Sequence, residues 1–148
     1  MASVEEIARG LRVGFAGGPA SGNDAIHAYL SDEGFEVTHV PPSPMDGRVR
    51  RDQIFELGKA HTEVFPKFIE DYRWDDVAIE VQGDEIVLTC SLAGTLPGGV
   101  ALDVPVRMIW TVEDGYIARM ESHVAPDPET VALMMAAMSG SGISPPQT

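Results

Sequence analysis

The stretch that most limits what this chain can become runs from Trp74 to Val124. Four apolar-rich segments follow one another there: Trp74 to Val81, Ile86 to Gly94, Val100 to Val112 and Tyr116 to Val124. Short breaks separate them, at Gly83-Asp84, at Leu96-Pro-Gly-Gly99 and at Glu113-Asp-Gly115, the last a hairpin turn of the Asp-Gly kind. In the third segment Leu102, Val104, Val106, Met108 and Trp110 share one side of a two-residue period, and Asp103, Pro105, Arg107 and Ile109 share the other. That alternation belongs to a strand with one covered face. Strands joined by turns this tight pair antiparallel, because a parallel partner needs a crossover of a dozen residues or more. The expectation is an antiparallel meander whose apolar face needs a lid.

The residues before the meander can supply that lid. Ser3-x-x-Glu6 has capping-box spacing, and Val4, Ile7, Ala8, Leu11 and Phe15 recur behind it at helical steps until Gly17-Gly18-Pro19. Asn23 or Asp24 is expected to cap a short second helix bearing Ile26, Tyr29 and Leu30, ending near Gly34. Phe35 to Val40 alternates and is closed by Pro41-Pro42, so it reads as a strand. Asp46-Gly47 leads into a third helix over roughly 50–64, with Ile54, Leu57, His61 and Val64 or Phe65 on one face. After the meander, Asp127 or Asp-Pro128 opens a last helix through Met138, which carries Met134, Met135 and Met138. The expected fold class is α+β: a curved antiparallel sheet packed against three N-terminal helices, plus a C-terminal helix. Residues 1–138 are expected to form one domain, and 139–148, small, polar and proline-bearing, a flexible tail.

Charge removes several functions. With 10 Lys and Arg against 23 Asp and Glu, the chain carries a net −13, so it lacks the cationic footprint of a nucleic-acid binder and is repelled by an anionic membrane surface. No run approaches the ~18 apolar residues of a membrane span. The N-terminal MASVEEIARG carries acids where a signal peptide is basic. With Cys90 the lone cysteine, a cytoplasmic location is expected. The histidines at 27, 39, 61 and 123 have no metal-ligand spacing, so neither a metal nor another cofactor is expected.

The run from Gly83-Asp84-Glu-Ile-Val87 through Gly94-Thr95, Pro97-Gly98-Gly99 and Pro105 to Asp114-Gly115-Tyr-Ile117, with Phe65-Pro66 ahead of it, resembles the nuclear transport factor 2-like superfamily. That group includes ketosteroid isomerase and the SnoaL-like polyketide cyclases. The resemblance covers about residues 3–125. It implies a cone with a pocket between sheet and helices, an apolar small-molecule ligand and a homodimer. It also places His39 at the position of the isomerase's catalytic base, Arg107 at an oxyanion-hole position, and Phe15 where that enzyme has a tyrosine. The cyclases' Tyr-x-Asp corresponds here to His123-Val124-Ala125.

The candidate catalytic residues are therefore His39 as base, Arg107 as oxyanion stabiliser and His123 as second acid/base. An imidazole titrates near neutral pH and so suits proton transfer; a guanidinium suits a developing oxyanion. Phe15, Tyr29, His61, Trp74, Asp103 and Ile109 are the candidate substrate-binding residues. The expected function is cofactor-independent acid–base chemistry, of isomerase or cyclase type, on an apolar carbonyl compound. The alternative is a non-catalytic ligand-binding or dimerisation domain of the same fold. Glu70, Asp71, Asp75 and Asp76 read as a solvated acidic rim around Trp74, and Cys90 as a small core residue.

Overall fold

Ser3 caps the first helix as its spacing predicts. In the computed structural model its hydroxyl accepts the Glu6 N–H at 3.1 Å, and α1 (Val4–Ala16) buries Ile7, Ala8, Leu11 and Phe15. The structure describes residues 1–124 together with Thr130 and Ala132. Apart from those two positions, the expected C-terminal helix, its methionines and the tail lie outside the described residues. Gly17-Gly18-Pro19 both ends α1 and starts α2 (Pro19–Ala28). Pro19 occupies the first turn, where its missing N–H costs nothing, so the second helix begins earlier than Asn23 or Asp24.

The strand β1 (Phe35–Val40) has the expected bounds. A short strand follows that the sequence did not announce, β2 (Gly47–Val49), paired antiparallel to β1 with Phe35 opposite Val49. The third helical region is not one regular helix. A 3-10 turn (Arg51–Gln53) leads into α3 (Ile54–Lys59), a π-helical turn (Ala60–Val64) and α4 (Phe65–Phe68). The wider turn re-aims the side chains around His61 and closes against Pro66, which has no N–H to continue a regular ladder.

The meander forms β3 (Glu70–Gln82), β4 (Glu85–Thr95), β5 (Ala101–Glu113) and β6 (Tyr116–Val124). The six described strands make one curved, unclosed sheet in the order β2-β1-β6-β5-β4-β3. All pairs are antiparallel except β1 with β6, which run parallel with His39 opposite Ser122. The helix α1 packs on β3 and β4. The inner face of the sheet, which looks at the helices, carries Phe35 and Val37, Ile117 and Met120, Val104 to Trp110 at alternate positions, and Ile86, Leu88 and Leu92, all buried. No Lys, Arg, Asp or Glu occupies an inner strand position among the described residues.

The strand β3 stays in step with this face through two bulges. Glu70 pairs with Thr95 but Arg73 with Ala93, and Asp75 pairs with Ser91 but Ala78 with Thr89. Each bulge contains an aspartate with positive φ, 55° at Asp71 and 56° at Asp76. Aspartate tolerates the left-handed region better than most side chains. Two members of the expected acidic rim therefore set backbone geometry, turning Tyr72 and Trp74 inward and then restoring Ile79 to the core.

Candidate active site on the inner sheet face

Most of the inner face is sealed, so the residues that keep partial exposure there mark where a small molecule could reach it. Among them are His39 at the end of β1, His61 in the π-helical turn, Tyr72 and Trp74 on β3, and Val124 on β6. The His39 side chain is 24% exposed and that of Asp46 29%, enough for a ligand to touch the imidazole.

His39 is held by a residue that the sequence did not single out. Its Nδ1 lies 2.6 Å from Asp46 Oδ1. A carboxylate only accepts, so Nδ1 carries the hydrogen and donates it. Asp46 is itself fixed by a turn: its backbone N–H donates to the Ser43 carbonyl at 3.0 Å, and its Oδ2 accepts the Ser43 N–H at 3.4 Å. The remaining ring nitrogen of His39, Nε2, has no hydrogen-bond partner among the described residues. The Ser43-x-x-Asp46 spacing ahead of Gly47 was the available signal, since Ser and Asp at that interval close turns.

A second polar group is built from aromatic residues. Trp74 Nε1 donates to the Tyr72 hydroxyl at 3.1 Å, and the same hydroxyl lies 2.7 Å from His61 Nδ1. The His61 ring sits edge-on to Trp74 and to Phe65, with centroids 5.3 Å away in both cases. The residue keeps some exposure, but its ring is desolvated, and burial followed by the nearby His39 lowers its pKa to about 4. Burial likewise raises the Tyr72 phenol well above its ordinary value and pushes the Cys90 thiol up to about 11. Phe15 stacks on Trp74 at 5.5 Å and leans on Trp110 at 5.7 Å. Trp110 is fully buried, and its Nε1 has no acceptor among the described residues.

Of the sequence candidates, His39, His61, Trp74 and Phe15 share the inner face. Arg107, Asp103 and Ile109 do not join them. They occupy outward positions of β5, where Arg107 is exposed and stands between Thr89 and His123 in register. His123 also faces outward, paired through Nε2 with Glu121. The sheet itself thus separates Arg107 and His123 from His39. The inward set of β5 is the apolar one, as burial of hydrophobic area requires. Tyr29 ends α2, its ring against Gly10 and its carbonyl accepting the Ile117 N–H at 2.9 Å, so it braces helix to sheet near the start of β6. Outside, Glu36, Thr38, Glu85, Ile109, Thr111, Arg119 and Glu121 line a shallow hollow of about 250 Å³. No group of residues suited to a metal ion occurs among the described residues, and no described helix is long and apolar enough to cross a membrane.

No protein-family model and no curated protein sequence matches the chain. Solved structures do match it. A nuclear transport factor 2-like protein from Burkholderia thailandensis is 20% identical with a TM-score of 0.62, over 93% of this chain and 98% of that one. A protein from a Jannaschia species that is described as a SnoaL-like polyketide cyclase is 23% identical with a TM-score of 0.55, over 93% of this chain and 90% of its own. TerC, co-crystallised with polyporic acid, is 20% identical with a TM-score of 0.59, over 87% of this chain and 98% of that one. At such identities the likeness concerns architecture. The chain has the nuclear transport factor 2-like fold, shared with SnoaL-like cyclases and ketosteroid isomerase-like proteins.

Proposed function

We propose that the protein is a small-molecule enzyme of acid–base type, acting at the inner sheet face on an apolar carbonyl compound, with His39 as general base. The observation that carries this reading is the His39–Asp46 pair at 2.6 Å. With Nδ1 committed to the carboxylate, Nε2 presents its lone pair, and Asp46 stabilises the imidazolium that forms when a proton is taken. Apolar walls supplied by Trp74, backed by Phe15, and by Val124 suit a ligand without charge. TerC, of the same fold, was crystallised with a small organic molecule.

Incubating the protein in D₂O with a panel of apolar ketones, followed by NMR, tests the proposal. The expected result is deuterium entry beside the carbonyl of at least one ketone. His39→Ala should slow it by ~10²–10⁴, the ordinary worth of a positioned base, and Asp46→Asn should lower kcat with little change in KM. Undiminished exchange in His39→Ala would overturn the assignment. Ketones that bind without exchanging would make the protein a non-catalytic binder of the same fold.

A homodimer belongs to the same proposal. The outward side of β5, open at Asp103, Pro105 and Arg107, is available for a second copy, and sedimentation velocity decides the state. A cytoplasmic location is proposed on the lone, buried Cys90, which has no disulfide partner in the chain.

A further inference from the structure

Asp46, His39 and Ser122 stand in one row across the sheet. Asp46 directly precedes Gly47, where β2 begins, while His39 belongs to β1 and Ser122 to β6, and the strand order is β2-β1-β6. His39 and Ser122 are register partners in the parallel pairing, so their backbones lie ~4.8 Å apart. Both side chains belong to the inner face. The Asp46 carboxylate holds Nδ1 of the ring at 2.6 Å from the β2 side. The other ring nitrogen, Nε2, therefore faces away from that side, and the neighbouring strand there is β6.

Ser122 is an unusual residue for its place. It is 2% exposed and sits in an apolar row, with Met120 and Val124 on either side along the strand's inner face and Met108 opposite on β5. Its hydroxyl makes no hydrogen bond among the described residues. A hydroxyl desolvated without a partner costs stability, and an alanine would fill the same place without that cost. The way in is the end of β1 and β6, where His39 and Val124 keep partial exposure.

We propose that Ser122 is a nucleophile activated by His39, and that the protein cleaves small uncharged esters with an apolar acyl group through an acyl-serine. The proposal rests on the assignment of His39 as base above and not on ketone chemistry. The Ser122 oxygen forms a bond to the acyl carbon while its proton passes to His39 Nε2. The bond from that carbon to the alkoxy oxygen of the ester then breaks, and the imidazolium hands its proton to the departing alcohol. Water is the second reactant: it gives a proton to His39 Nε2 as its oxygen attacks the acyl carbon. The Ser122 oxygen leaves and takes that proton back, so the products are an acid and an alcohol. Asp46 keeps Nδ1–H in place and balances the charge on the ring at each transfer. No hydrogen bond joins His39 to Ser122 in the free protein, and such bonds often tighten only when substrate binds. The acid ionises on a face with no Lys or Arg at an inner strand position among the described residues, which favours its release.

The test treats the full chain with an uncharged alkyl fluorophosphonate and maps the product by peptide mass spectrometry. The expected result is a phosphonyl group on Ser122, with fluoride lost. His39→Ala should slow the labelling by ~10²-fold or more. Ser122→Cys examines the same geometry by another reaction: the thiol beside His39 should take iodoacetamide ~10-fold or more faster than the buried Cys90, whose thiol is pushed up to about 11. A label absent from Ser122, or placed on another residue, overturns the proposal. So does a His39→Ala variant, folded by circular dichroism, that labels at the original rate, or a Ser122→Cys thiol no faster than Cys90. Deuterium entry into ketones with no phosphonyl group on Ser122 overturns the ester chemistry and leaves His39 as base for carbon acids. A labelled Ser122 without deuterium entry upholds the ester chemistry and overturns the ketone reading.

Discussion

Protonating His61 costs the folded state more than the unfolded one. The ring titrates near pH 4 when folded and at about 6.5 in an unfolded chain, so the unfolded chain takes the proton first as pH falls. The stabilisation is complete above about pH 6.5 and is lost progressively down to about pH 4, to a limit on the order of 3 kcal/mol. Urea unfolding at pH 7.5 and 4.5 should show this loss, and His61→Leu should flatten the dependence across that window. An unchanged slope in the variant would assign acid sensitivity to other groups. Cys90 behaves in the opposite sense: with its thiol pushed up to about 11 and the residue buried, it should react slowly with thiol reagents until the protein unfolds.

Bulges make β3 the element on which the aromatic side of the site depends. Opposite the first one lies Gly94, with φ of 146°, where an added Cβ would come 2.6 Å from an Ile69 methyl and 2.9 Å from the Glu70 carbonyl oxygen. Gly94→Ala should destabilise by ~2–4 kcal/mol, strain and crowding acting together. Gly83→Ala, in a turn with φ of 67° and open space around it, should cost only ~1 kcal/mol. Thermal unfolding of the two variants makes the comparison, and equal losses would deny that the crossing at Gly94 is tight. Such bulges are hard to see in a sequence, because a run of acids reads as solvated whether or not one of them takes a left-handed backbone. The bounds of β1 and β6 were legible, since alternation and flanking Pro or Gly mark them. The strand β2 was not, because Gly47-Arg48-Val49 is too short to alternate. For the site, the alternation of β5 already put Arg107 opposite the apolar row, whereas the reach of Asp46 to His39 depends on a loop path that no periodicity records.

On the scale of the whole molecule, a net charge of −13 makes the fold work against its own repulsion. Half of the ten cations sit in exposed ion pairs such as Arg48–Glu36, Arg73–Asp75 and Arg119–Glu113, each of small worth. Screening should therefore stabilise: raising NaCl from about 10 to 200 mM should lift Tm by a few degrees in a thermal scan. A fall in Tm would mean that the surface pairs outweigh the repulsion. The parallel seam between β1 and β6 has a consequence in time. The meander strands can pair with neighbours as the chain emerges, but β1 has to wait for the last strand of the described fold, a non-local closure that is slow for any chain. His39 rides on β1, while His61, Tyr72 and Trp74 belong to the stretch that can organise before it. During synthesis the group of His61, Tyr72 and Trp74 can form first, and His39 is the last of these residues to reach its place.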